Sequence, residues 1–239
     1  MREIKVIDSK NMIVGESPLW DEKNGLLYTV DFRGQCIRTI NMVTLESTEV
    51  KYEREVSCLA LCSDGKLLVA MENGVYYEMS DGELAPLWVP KKMKGRRLND
   101  GKVGPDGKFY VGSKDENHEG ALYCCDSKGN CVEVLNHVGS SNGSAWSSDG
   151  RKFYYCDTMD MELCSYDFDI QNGKLSNRQS IMKLPEGIGE YDGMAIDAED
   201  KLWCAVWDSA SVYRIDPEQG IVMEKIRFPV SKISSCTFV

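Results

Sequence analysis

Five places in the 239-residue chain put an oxygen-bearing side chain at one fixed distance from a turn. Ser57, Asn99, Asn142 and Asp192 each stand seven residues ahead of Asp64-Gly65, Asp106-Gly107, Asp149-Gly150 and Glu199-Asp200. The same count back from Asn24-Gly25 reaches Ser17, with Glu16 beside it. Carboxylates and amide carbonyls without thiolate or imidazole form a hard-oxygen donor set, suited to Ca²⁺, Mg²⁺ or Mn²⁺. So few protein ligands leave positions for water and substrate. Such a cation polarises a carbonyl and activates a water, and a carboxylate at the same rim can serve as general base. Asn99-Asp100-Gly101, Asn142-Gly143 and Asp192-Gly193 also have the composition of ordinary turns. Against that reading, the hairpin turn is already supplied seven residues later, and an apolar alternation starts directly after each pair. Glu16 stands in GESPLW, where Pro18 and Trp20 fix an extended entry strand.

The elements that position these residues form a repeat. PLWDEKNGLLYTVDF, LALCSDGKLLVAM, GKVGPDGKFYVGS, SAWSSDGRKFYYCD and MAIDAEDKLWCAV share an apolar alternation, a tight polar turn and a second apolar run. Their turns are 40, 42, 43 and 50 residues apart, near the ~40–50 of propeller blades. Asp-Gly and Asn-Gly between alternating runs predict two-residue hairpins with both central residues at positive φ. A third run follows each hairpin: CIRTIN, GVYYEM, GALYCCD, ELCSYDFD and SVYRIDP. Three or four antiparallel strands per repeat, with no long 3.6-residue period, predict an all-β propeller in a single domain, 1–239. In a propeller the first strand of each blade lines the central channel, so the fixed-distance residues meet at one mouth.

Composition excludes other classes. With 28 Lys plus Arg against 38 Asp plus Glu, the net charge of −10 disfavours nucleic acid and anionic membranes as partners. The basic run Lys91, Lys92, Lys94, Arg96 and Arg97 reads as mostly a solvated loop. The N-terminus has no continuous apolar region of a secretion signal, and no apolar run reaches the ~20 residues of a membrane span, which predicts a cytoplasmic protein. The ten cysteines form no CxxC pair and fall mostly in apolar stretches, so they read as buried reduced thiols. Two histidines, His118 and His137, leave little room for Ser-His or Cys-His catalysis or a His-rich zinc site.

At these residues the chain resembles the SMP-30/gluconolactonase/LRE (regucalcin-like) family. The resemblance is carried by GESPLWD (15–21), RLNDGKVGPDGKFYVG (97–112), SNGSAWSSDGRKFYYCDT (141–158) and YDGMAIDAEDKLWCAVW (191–207), with FPVSKISSCTF (228–238) resembling the entry into a last blade. It implies a six-bladed propeller that hydrolyses small sugar lactones with one divalent cation, Ca²⁺, Zn²⁺, Mn²⁺ or Mg²⁺. It implies Glu16, Asn142 and Asp192 as metal ligands, with Asp192 also the catalytic general base on the attacking water. It implies Arg97 and Asn99 as substrate-binding residues, Asn99 close enough to contact the metal directly or through water.

Two departures qualify the resemblance. The loop KDENHEG is short, and Lys114, Asp115, Glu116 and Asn117 do not align securely with the Glu that holds the sugar in regucalcin-like members. In the repeat phase Ser235 corresponds to Ser57, so the chain is expected to stop inside the first strand of an incomplete sixth blade, about fifty residues short, as a C-terminal truncation would. REIKVID at the N-terminus is expected to contribute a strand to that blade. The alternatives to a lactonase are a non-catalytic calcium-binding or partner-binding propeller, and a metal-dependent ester or phosphotriester hydrolase on the same scaffold.

Overall fold

Each repeat folds into a four-stranded antiparallel sheet in the computed structural model, which describes residues 3–79 and 82–239. The first blade holds β1 (Gly15–Asp21), β2 (Leu26–Asp31), β3 (Cys36–Asn41) and β4 (Ser47–Lys51). The second holds β5 (Val56–Leu61), β6 (Leu67–Met71), β7 (Gly74–Glu78) and β8 (Leu84–Trp88). The third holds β9 (Arg97–Val103), β10 (Phe109–Lys114), β11 (Gly120–Cys125) and β12 (Cys131–Val138). The fourth holds β13 (Ser141–Trp146), β14 (Lys152–Asp157), β15 (Glu162–Asp169) and β16 (Lys174–Lys183). The fifth holds β17 (Glu190–Ile196), β18 (Leu202–Trp207), β19 (Ser211–Asp216) and β20 (Ile221–Arg227). Within each sheet the strands pair in chain order, so the first strand of every blade is innermost and the fourth is the exposed edge.

The burial follows from that order. The two middle strands are covered on both faces by neighbouring blades, which is why LLVAM and LWCAVW read as near-continuous apolar runs, whereas β20 alternates exposed and half-buried residues. Four apolar clusters fill the four interfaces between consecutive blades: Val30, Val56 and Val69 between the first two, Leu98 and Val75 between the next, Tyr110 and Phe153 between the third and fourth, and Leu163 and Leu202 between the last two. Each fully buried aliphatic or aromatic side chain contributes about 1.5–3 kcal/mol relative to an exposed one.

Three sequence expectations are corrected. The described residues form five blades, not six, and no strand of a sixth is among them. Residues 228–239 run from the fifth blade back toward the first, where Gly193 N donates to Ser234 O (2.7 Å) and Ser234 Oγ to Gly15 O. No strand forms there, because a strand needs a continuous partner ladder and these bonds are isolated. Residues 3–8, the described part of REIKVID, supply no ladder either. They form no strand and turn to the first blade, where Arg38 Nη1 donates to Asp8 Oδ2 (3.2 Å) and Lys10 O (2.9 Å).

The second correction concerns the turns between the first two strands of each blade. Only their second residue is left-handed: Gly25, Gly65, Gly107 and Gly150 have φ of 66–86°, and Asp200 takes the same conformation at 57°. Gly65 N donates to Cys62 O and Cys62 N to Lys66 O, so the loop is longer than two residues, in the manner of a turn closed by one left-handed position. The third correction is that Cys125 and Cys131, register partners across β11 and β12, are joined as a disulfide, while the other eight cysteines are free. Among the described residues no helix is long and apolar enough to cross a membrane.

Candidate active site

All five inner strands break register at the same level. The partners skip from Glu16 to Leu19 in β1, Val56 to Cys58 in β5, Leu98 to Gly101 in β9, Asn142 to Ser144 in β13 and Tyr191 to Met194 in β17. A bulge inserts residues into one strand, bends it and re-aims a side chain. The fixed-distance residues Ser17, Ser57, Asn99, Asn142 and Asp192 lie in or beside these bulges, which is why the turn-like pairs Asn99-Asp100, Asn142-Gly143 and Asp192-Gly193 sit inside strands. Gly143 is required: its φ is +23°, and a Cβ there would come within 2.6 Å of Cys156 Sγ and 2.7 Å of Asp192 O.

Hydrogen bonds fix the two amides. Thr158 Oγ1 donates to Tyr191 O (2.7 Å), so it accepts from Asn142 Nδ2 (2.7 Å) and leaves Asn142 Oδ1 on the other side. That oxygen accepts from Asn99 Nδ2 (2.9 Å), which also donates to Ser141 O (2.7 Å). Asn99 Oδ1 accepts from Arg97 Nη1 (2.8 Å), and Arg97 also donates to Leu98 O (3.1 Å) and lies 4.1 Å from the centre of the Phe32 ring. Asn99 thus presents its NH₂ to Asn142 and its carbonyl to Arg97. Ser57 Oγ is spent on Leu98 O (2.8 Å), and Ser17 Oγ accepts from Leu59 N (2.9 Å). Glu16, Phe32, Ser57, Arg97, Asn99, Asp100 and Asn142 enclose a cavity of about 60 Å³.

The electrostatics are those of crowded acids. Burial, and then the neighbouring Asp100 carboxylate, push the Glu16 carboxyl up to about 8, against the Ser17 N–H and Arg97. Burial, followed by repulsion from Glu16 and Asp100, holds Asp192 well above the usual carboxylate range, with Lys114 opposing. Asp100 is itself raised by burial, against the charge of Lys102, whose Nζ donates to Met194 O (2.7 Å). Three acids that disfavour one another's ionisation, beside an oriented amide oxygen, fit a divalent cation, which would reverse that penalty.

The structure therefore brings Glu16, Arg97, Asn99 and Asn142 to one cavity wall and couples Asp192 to it through Glu16 and Asp100. Sequence reasoning missed Asp100, Phe32 and Thr158 as parts of the site. Asp100 had a signal, since it shares the bulge with Asn99; Phe32 and Thr158 come from loops between second and third strands, where no repeat marks them. The Lys114–Asn117 loop stands at the same face, with Lys114 felt by Asp192 and Glu116 Oε2 3.7 Å from Arg96.

A five-bladed propeller with an oxygen-rich, bulge-built pocket at one channel mouth defines the class of protein. Residues 14–239 match the SMP-30/gluconolactonase/LRE-like region, and the chain belongs to that family. It is 34% identical over 248 residues to regucalcin of Xenopus laevis, covering 99% of this chain and 82% of the relative. It is 32% identical over 231 residues to the candidate sugar lactone lactonase YvrE of Bacillus subtilis (strain 168), covering 95% and 79%. A solved calcium-binding protein, regucalcin of Agrobacterium tumefaciens str. C58, superposes with a TM-score of 0.89 over 96% of this chain and 79% of its own, at 24% identity, which is a likeness of fold.

Proposed function

We propose that the protein is a divalent-metal-dependent hydrolase of small sugar lactones. The observation that carries the reading is the convergence of Glu16, Asp192 and the fixed Asn142 Oδ1 at three of the five aligned bulges, with Arg97 and Asn99 alongside. Its relatives named as regucalcin and as a candidate sugar lactone lactonase support it. Glu16, Asn142 and Asp192 would hold the cation, which when bound supplies Lewis-acid polarisation of the lactone carbonyl.

Asp192 takes the proton from the attacking water at a carboxylate oxygen. Without a cation, burial and the Glu16 and Asp100 charges favour its protonated form; a cation held there would restore the carboxylate that the task requires. Water oxygen bonds to the carbonyl carbon, the ring C–O bond breaks, and the proton passes on to the ring oxygen, giving the hydroxy acid. Arg97, braced on Phe32 and Asn99, orients substrate hydroxyls. A cavity of about 60 Å³ accommodates an ion and roughly one or two waters, so the sugar ring docks above it at the mouth. A cytoplasmic setting belongs to the same reading, with eight of the ten cysteines free and the one disulfide, Cys125–Cys131, confined to register partners of a single hairpin.

The test is turnover of an aldonolactone panel with Ca²⁺, Mn²⁺, Mg²⁺ or Zn²⁺. Chelation with EDTA is expected to abolish activity and re-addition of metal to restore it. Asp192→Asn is expected to lower kcat by roughly 10²–10⁴-fold, the usual worth of a positioned base. Chelator-resistant turnover, or an Asp192→Asn enzyme as fast as wild type, would overturn the reading.

A further inference from the structure

Outside the channel, the loop between β10 and β11 and the loop between β14 and β15 bring His118 and Asp160 together beside the end of β14, where Asp157 stands. One imidazole nitrogen and two carboxylate oxygens lie within 4.8 Å of one another. His118 Nδ1 is 3.9 Å from Asp160 Oδ1, beyond hydrogen-bond distance, so the two groups face each other without closing a bond.

Asp157 is buried and held rigidly. Its Oδ2 accepts from Gly139 N (2.7 Å), and its Oδ1 from Ser140 N (2.8 Å) and Met159 N (3.1 Å). A carboxylate offers about four acceptor positions, so one remains. Backbone donors that orient a carboxylate in this way are the usual outer support of a metal ligand. Gly139 lies close under the imidazole, since a Cβ there would come within 2.8 Å of His118 Cε1.

A second, independent observation comes from the adjoining cavity. A space of about 460 Å³ between the third and fourth blades is walled by Tyr155, Asp157 and Asp160. Tyr155 precedes Asp157 by two residues in β14 and so shares its face. It is 3% exposed, and its hydroxyl makes no hydrogen bond among the described residues, with Ser141 beside it but without the geometry of one. Tyr155, Asp157 and Asp160 thus line one space, and the Tyr155 hydroxyl behind its wall has no partner among the described residues.

We propose that His118, Asp157 and Asp160 form a second divalent-cation site, distinct from the channel and of the Zn²⁺ class. The donor chemistry decides the class: an imidazole with two carboxylates suits zinc, whereas the channel set is all oxygen. His118 and Asp160 are open enough to admit the ion, and Asp157 and Asp160 also line the chamber. The ion would tie two loops of adjacent blades. Asp157 also neighbours Thr158, which orients Asn142, so the two sites share one strand end.

The proposal does not depend on lactonase activity, and Zn²⁺ binding to the metal-stripped full chain tests it. In the Asp192→Asn variant, calorimetry is expected to retain one Zn²⁺ equivalent per chain. Adding H118A and D160A to that variant is expected to remove it, or to weaken it at least tenfold, with the circular dichroism spectrum unchanged. These two side chains are partly exposed, so their truncation leaves the fold in place. Equal Zn²⁺ stoichiometry and affinity with and without H118A/D160A would overturn the site. So would loss of all Zn²⁺ binding in Asp192→Asn alone, which would assign the ion to the channel.

Discussion

At the scale of the residue, the same carboxylate chemistry is used in opposite senses. Glu16 and Asp100, half-buried, and Asp192, buried, are crowded together and pushed up, whereas Asp197, in the turn after β17, is pulled down. Burial alone would raise Asp197. It is outweighed by hydrogen bonds from Trp203 Nε1 (2.9 Å), Lys201 N (2.9 Å), Arg214 Nε (2.8 Å) and Glu199 N (2.9 Å), which bring it to about 2. Its folded value lies below the unfolded value of about 3.9, so its stabilisation is complete above that pH and is lost as pH falls through about 2. Urea midpoints of wild type and Asp197→Asn are therefore expected to differ most near pH 7 and to converge on acidification towards pH 2. A gap that stays constant with pH would show that the carboxylate charge is not the source.

At the scale of the element, the repeated bulge converts five ordinary inner strands into a site. Gly143 is the tightest case, because Asp192 O and Cys156 Sγ occupy the space a Cβ needs and the backbone is left-handed. Gly143→Ala is expected to cost about 1–3 kcal/mol through overpacking and strain. The melting temperature should fall by several degrees, and cation affinity should fall with it as Asn142 is displaced. A melting curve and affinity like those of wild type would show that the bulge tolerates a side chain. The bulges explain why the strands were legible and their function only partly so. Period-two alternation marks GKVGPDGKFYVGS as a hairpin wherever it occurs, but Asn99-Asp100 reads locally as a turn, and it takes the neighbouring strand to make it a bulge.

At the scale of the whole molecule, four apolar clusters join five blades in series, and the return from the fifth to the first is made by residues 228–239. Cys236 Sγ reaches Trp203 O (3.1 Å), and the rings of Phe238 and Trp203 meet edge-on at 6.0 Å, so this segment packs on the fifth blade while Ser234 bonds the first. Removing residues 231–239 is expected to lower the urea midpoint and to weaken cation binding, because Glu16 and Asp192 sit on the two strands the segment links. Unchanged binding by the shortened chain would show that the four interfaces alone hold the mouth. The sequence by itself determined the number of complete repeats, their strands and the level at which Ser57, Asn99, Asn142 and Asp192 meet, since alternation and turn chemistry act over a few residues. Only the tertiary structure decided that residues 228–239 run from the fifth blade to the first without forming a strand, that Asp100 joins Glu16 and Asp192, and that Cys125 bonds Cys131. Each of those depends on what lies across a strand or an interface, and burial and proximity between blades are not written in local order along the chain.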